Sequence, residues 1–165
     1  MKFFLRQISS LILPVTVLGI VPYFIEHDFR FQPDILLVVG LVFVDAGLFL
    51  LGMTVSLLIH QGEGTLAPWS PTKNLVVSGI YAHVRNPMIT GVMAVLLGEA
   101  ALFHSVAILE WFGLFFLINN VYFFVSEEPG LVKRFGDEYL EYKKNVPRWI
   151  PRLSPWHRPD PPTKI

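Results

Sequence analysis

Positions 78–91 read Ser-Gly-Ile-Tyr-Ala-His-Val-Arg-Asn-Pro-Met-Ile-Thr-Gly, a polar, turn-forming stretch between two hydrophobic segments. Arg85 offers a fixed fork of donors for a carboxylate or phosphate, and Tyr81 a ring face and a hydroxyl. An anchor at the cytoplasmic start of a helix is the other role open to Arg85. A second group is Ser126-Glu127-Glu128-Pro129. Adjacent residues point to different helix faces, so the two carboxylates do not make a close acid–base pair; one is free to face a bundle and the other solvent. A carboxylate at what reads as a helix C-terminus opposes the macrodipole, and suits a ribose diol or a cationic ligand. A solvated junction, with Pro129 opening a new helix, is the alternative. Seven residues separate Glu127 from Asn120, placing them on nearly one face. A third group, Asp45, Glu99, Asn119 and Asn120, lies inside apolar runs, where ionisable groups are costly and usually face a cavity or a partner. Asp45 has no assignable role.

These groups need elements to hold them, and composition says what kind. The 165 residues are 53% hydrophobic, 14% aromatic and 16% charged, more apolar surface than a soluble domain of this size buries, so the solvent is lipid. A net charge of +0 argues against nucleic acid as a partner, and the absence of cysteine excludes disulfides and thiolate-bound metals. Apolar runs cover 8–25, 35–60, 87–103 and 106–125, with Pro14 expected to kink the first and His104-Ser105 to form a tight turn between the last two. Lys2 and Arg6 precede the first run, but no small-residue cleavage site follows it, so it reads as a retained helix.

Residues 61–86 form a loop broken by Gly62, Gly64, Pro68, Pro71 and Gly79. Leu131, Phe135, Tyr139 and Tyr142 recur at helical spacing, predicting one amphipathic helix over 129–144. Pro147, Pro151, Pro155 and Pro159 then leave an extended tail. On the third run Gly91, Val95, Gly98 and Leu102 share one side, open to a ligand or a neighbouring helix. The expected fold is all-α: a polytopic membrane protein of about four transmembrane helices plus a C-terminal amphipathic cytoplasmic helix. It is one integral membrane domain over 1–165, with two spans in 1–60, a cofactor-binding loop, hairpin and amphipathic helix in 61–151, and a Pro-rich tail in 152–165. Lysine and arginine other than Arg30 all fall on one side of this layout, which makes both termini and the 61–86 loop cytoplasmic.

Gly79-Ile80-Tyr81, Val84-Arg85-Asn86-Pro87 and Gly91, followed by Glu127-Glu128, Phe135-Gly136-Asp137-Glu138-Tyr139, Tyr142 and Val146-Pro147-Arg148, resemble the isoprenylcysteine carboxyl methyltransferase family. This belongs to the larger group of membrane methyltransferases that includes the phospholipid methyltransferases. The resemblance covers about half the chain, from near Lys73 to Pro151, and rests on two separated motifs in order. It implies S-adenosylmethionine bound at the cytoplasmic face, a lipophilic acceptor entering from the bilayer, and no metal. The cofactor contacts it implies are Lys73, Asn74, Leu75, Val76, Tyr81, Asn86, Pro87, Met88, Ile89 and Glu127; Arg85 and Glu128 complete the candidate set. Arg85 and Glu127 are the catalytic candidates, and no general base is assigned. Asn86 and Ile89 stand where the family usually has His and Tyr. Phe123 stands where prenylcysteine enzymes have an Arg for the substrate carboxylate, which points to a different lipophilic acceptor carrying an amine, hydroxyl or carboxyl. The rival readings are an NADPH-dependent membrane reductase of the sterol type and a non-catalytic membrane subunit of the same fold.

Overall fold

The computed structural model describes residues 12–60 and 74–158; the first half of the 61–86 loop, through Lys73, lies outside them. Among the described residues all regular structure is helical. The helices are α1 (Ile12–Ile25), α2 (Ile35–His60), α3 (Pro87–Leu102), α4 (Val106–Tyr122), α5 (Glu128–Phe135) and α6 (Asp137–Asn145), with a 3-10 turn at Gly79–Ala82. Among the described residues two helices are long and apolar enough to cross a membrane: α2, and the continuous Val106–Phe135 rod of α4 and α5. The other two apolar helices, α1 and α3, are shorter. Only 11% of the apolar window of either long helix is buried, whereas the core helix of a soluble protein would be mostly covered. Faces carrying Phe49 and Phe124, each at least 70% exposed, call for lipid.

Glycines set the central pairing. A Cβ on Gly40 would stand 2.8 Å from the Gly98 carbonyl oxygen, and one on Gly47 2.7 Å from that of Gly91. α2 and α3 therefore run antiparallel with their backbones in direct contact, and the Gly91/Gly98 side of α3 meets a helix rather than a ligand. On the other side of α3, Val92, Leu96 and Ala100 pack with Ile108, Trp111 and Phe115 of α4 and with Val17, Leu18 and Ile25 of α1.

Pro22 and Pro129 both sit within helices without ending them, and the chain handles them alike. The Val21 N–H bonds five residues back to the Thr16 carbonyl, and the Glu128 N–H to that of Phe123, each donor directly preceding a proline. Proline lacks an N–H and its ring collides with the carbonyl four residues back; a wide turn moves that carbonyl aside. In α1 the irregularity is thus tied to Pro22, where sequence reading assigned it to Pro14. The Val17 carbonyl, deprived of a helical donor, accepts Trp111 Nε1 at 3.1 Å.

The same device corrects two expectations around Pro129. The fourth helix does not end at Glu127-Glu128; it passes through the wide turn Phe123–Glu127 into α5, so the macrodipole argument for those carboxylates lapses. The single amphipathic helix expected over 129–144 is instead two, because Gly136 adopts φ 55° and ψ −131°, a conformation that L side chains rarely adopt.

At the end of the bundle away from the 78–91 loop, Asp34 caps α2 through the Leu36 and Leu37 N–H groups and accepts His104 Nε2–H at 2.7 Å. The Phe29 and Phe31 rings pack on Phe103. Ser105 caps α4 by accepting the Ile108 N–H, so the expected His104-Ser105 turn joins α3 to α4.

Candidate functional site

Loop 78–86 is held by the C-terminal segment. The Arg85 N–H donates to the Pro147 carbonyl, the Arg152 N–H to that of His83 and the Trp156 N–H to that of Ala82. His83 Nδ1–H returns a bond to the Arg152 carbonyl at 2.7 Å, and Tyr142 Oη–H donates to the Tyr81 carbonyl at 2.7 Å. The prolines that keep this segment extended leave its remaining N–H and C=O groups free to pair with the loop. Tyr139, Tyr142, Val146 and Trp156 form the small core beneath it, with Leu75 and Val77 of the loop against them. Burial raises the Tyr81 and Tyr142 phenols above their usual range, so near neutral pH they are donors and not bases.

Glu128 sits at the centre of this clasp. Its Oε1 accepts Arg85 Nη1 at 2.7 Å and Arg148 Nη2 at 2.5 Å, and its Oε2 pairs with Lys143 Nζ at 2.6 Å. Arg85 also donates Nε–H to the Val146 carbonyl and Nη1–H to Tyr139 Oη. Three bonds of the guanidinium fork thus go to protein groups from three segments, through Nε and Nη1. Arg148 lies over the Phe123 ring, which is 3% exposed and packs on Trp149, whose Nε1–H donates to Asn120 Oδ1.

Beside the clasp opens a cavity of about 590 Å³, within the size range that encloses a drug-sized ligand. Leu75, Val76, Tyr81, Arg85, Asn86, Met88, Ile89 and Glu127 of the candidate set line it. Asn74 is exposed outside it, Pro87 is buried as the first residue of α3, and Glu128 faces the clasp. Asn86 occupies the α3 N-cap position, yet its side chain makes no capping bond. Met88 and Ile89 lie in the first turn, where N–H groups have no intrahelical acceptor. Across the cavity, Asn119, Tyr122, Ser126, Glu127 and Arg134 present one continuous face of the α4–α5 rod. Among the described residues no cation forms an ion pair with Glu127; Glu128 and Arg148 are the charges that act on it.

Sequence reading singled out Asn119 as a residue facing a cavity or a partner, but missed Tyr122, Arg134 and Tyr139 as neighbours of the site. Asn120, expected on the face of Glu127, bonds Trp149 instead, because the wide turn at Phe123–Glu127 changes the helical register between them. Of the third group, only Asn119 lines the cavity. Asp45 is exposed on α2, and Glu99 lies outside the cavity with Oε2 buried and without a hydrogen-bond partner among the described residues. Among the described residues no cluster of His, Asp or Glu could hold a metal ion.

Among the described residues, helices with exposed apolar faces and a ligand-sized cavity at one end have the build of a helical membrane protein. A family model described as phospholipid methyltransferase matches residues 34–138, and the chain belongs to that family. It is 38% identical over 79 residues to a protein-S-isoprenylcysteine O-methyltransferase of Schizosaccharomyces pombe, covering 48% of this chain and 34% of the relative. To the Homo sapiens protein of the same name it is 35% identical over 91 residues, covering 52% and 30%. The chain thus spans about a third of the length of these relatives. An uncharacterized Haemophilus influenzae protein is 43% identical over 44 residues, 26% of this chain and 70% of that one. No solved structure matches.

Proposed function

We propose that this protein transfers a methyl group from S-adenosylmethionine to a lipophilic acceptor at the cytoplasmic face of a membrane. The observation that carries the reading is the cavity joining the 74–89 segment to Glu127. Its donor set suits the cofactor. Asn86 and the first-turn N–H groups of α3 suit a carboxylate, Glu127 suits a ribose diol or an ammonium, and Leu75, Val76, Met88 and Tyr81 make an apolar and aromatic slot. Bound there, S-adenosylmethionine supplies an electrophilic methyl on a sulfonium. The protein's part is to hold both partners in line and to exclude water.

Leu13, Pro14 and Val17 of α1, with Val92 and Phe115, form an apolar limb of the cavity that suits the hydrocarbon of the acceptor. Four spans, α1 to α4, with both termini and the loop cytoplasmic, fit the distribution of Lys and Arg and put the site at the membrane surface. In this reading residues 1–165 act as one membrane domain. Phe123, buried between Trp149 and Arg148, offers no cation to an acceptor carboxylate, which favours an acceptor other than prenylcysteine.

Calorimetry on the detergent-solubilised protein tests this. S-adenosylmethionine and S-adenosylhomocysteine should bind and NADPH should not; Glu127→Ala should weaken binding at least tenfold while Asp28→Ala leaves it unchanged. NADPH binding alone would favour the reductase, and no binding at all a non-catalytic role. Methylation of a farnesylated cysteine at a substantial rate would overturn the acceptor assignment.

A further inference from the structure

The two adjacent carboxylates at the α4–α5 junction divide their work. Glu128 draws three cations to one side of the rod, whereas Glu127 faces the cavity. Arg85 reaches Glu128 from the loop, and Arg148 and Lys143 reach it from the C-terminal segment. Glu128 is 6% exposed, so these contacts form away from bulk water, where Coulombic attraction is strong and an unpaired charge is costly. Arg148 also acts on Glu127. Its guanidinium therefore has two carboxylates within its influence, and it bonds only the one outside the cavity, through both Nε at 3.1 Å and Nη2 at 2.5 Å.

We propose that Glu128 is a positioning residue that sorts charge: by holding Arg148 against itself it keeps that guanidinium off Glu127, leaving that carboxylate free for the cofactor. The inference rests on the proposed role of Glu127 as a cofactor contact. Without Glu128, the adjacent carboxylate of Glu127 would be left to compensate the stranded guanidinium of Arg148 and would then be occupied by protein. A purely structural clamp makes the opposite forecast for a double change, since removing a second member of a clamp only loosens it further.

The test measures S-adenosylhomocysteine affinity by calorimetry on the full chain in detergent, with thermal unfolding recorded for each variant. Glu128→Gln should weaken affinity about tenfold or more. Adding Arg148→Gln should restore at least threefold of that loss, because the competing guanidinium is gone. Wild-type affinity in Glu128→Gln, or a double variant as weak as the single one, would overturn the proposal while leaving the cofactor reading intact. Wild-type affinity in Glu127→Gln would remove the cofactor contact and the sorting role with it. If Glu128→Gln does not fold, Glu128→Asp replaces it: the shortened carboxylate should weaken affinity, and Arg148→Gln should again recover it.

Discussion

Arg85 and Glu128 lie 43 positions apart in the chain, 2.7 Å apart in space, and are 10% and 6% exposed. Their bond joins the loop before α3 to the start of α5, and Arg148 brings the C-terminal segment to the same carboxylate. The residue that looks most like a ligand fork in sequence is thereby the joint on which the cavity wall is assembled.

Removing that joint should cost stability first. Arg85→Ala takes away three donated bonds and leaves Glu128 to Arg148 and Lys143. The expected loss is about 3 kcal/mol, read as a lowered unfolding temperature in detergent. Arg85→Lys should recover only part of it, because an ammonium cannot span Val146, Glu128 and Tyr139 together.

The glycine contacts between α2 and α3 leave no room for a side chain. Gly98→Val should destabilise by about 1–3 kcal/mol or more, because a Cβ there would stand 2.7 Å from the Gly40 carbonyl oxygen. Gly113→Ala in α4, where a Cβ meets nothing within 4 Å, should instead stabilise by about 0.5–1 kcal/mol. Paired thermal melts in one detergent separate the two outcomes.

Trp111→Phe keeps most of the ring volume and deletes the donor to the Val17 carbonyl. A carbonyl stranded inside the bundle should cost about 1–3 kcal/mol. Equal stability of variant and wild type would show that water or another donor replaces the indole.

The Asp34–His104 contact should give stability an acid limb. The hydrogen bond from His104 holds the Asp34 carboxyl below the usual aspartate range, so less proton is bound folded than unfolded. Its contribution is present above the unfolded pKa, about 4, and is lost as pH falls through the lower folded value. Melts of wild type and Asp34→Asn should differ at pH 6 and converge toward pH 3; a constant difference would rule the linkage out.

The apolar runs, the start of α3 at Pro87, the turn at His104-Ser105 and the start of α4 at Val106 were legible in the sequence. Each is a local matter of hydropathy, a proline's fixed φ or a capping hydroxyl. The candidate residues of the cavity were legible too, since the order and spacing of two motifs pointed to loop 74–89 and Glu127 together. What the sequence could not show was how charges are shared. Arg85, Arg148 and Lys143 are equal cations on paper, and which carboxylate they take depends on approach across 15 to 43 positions and on a wide turn that carries the helix past Pro129. Burial decides the matter: once the clasp excludes water, a carboxylate holding three cations is tied to protein, and its neighbour one residue away faces an open cavity.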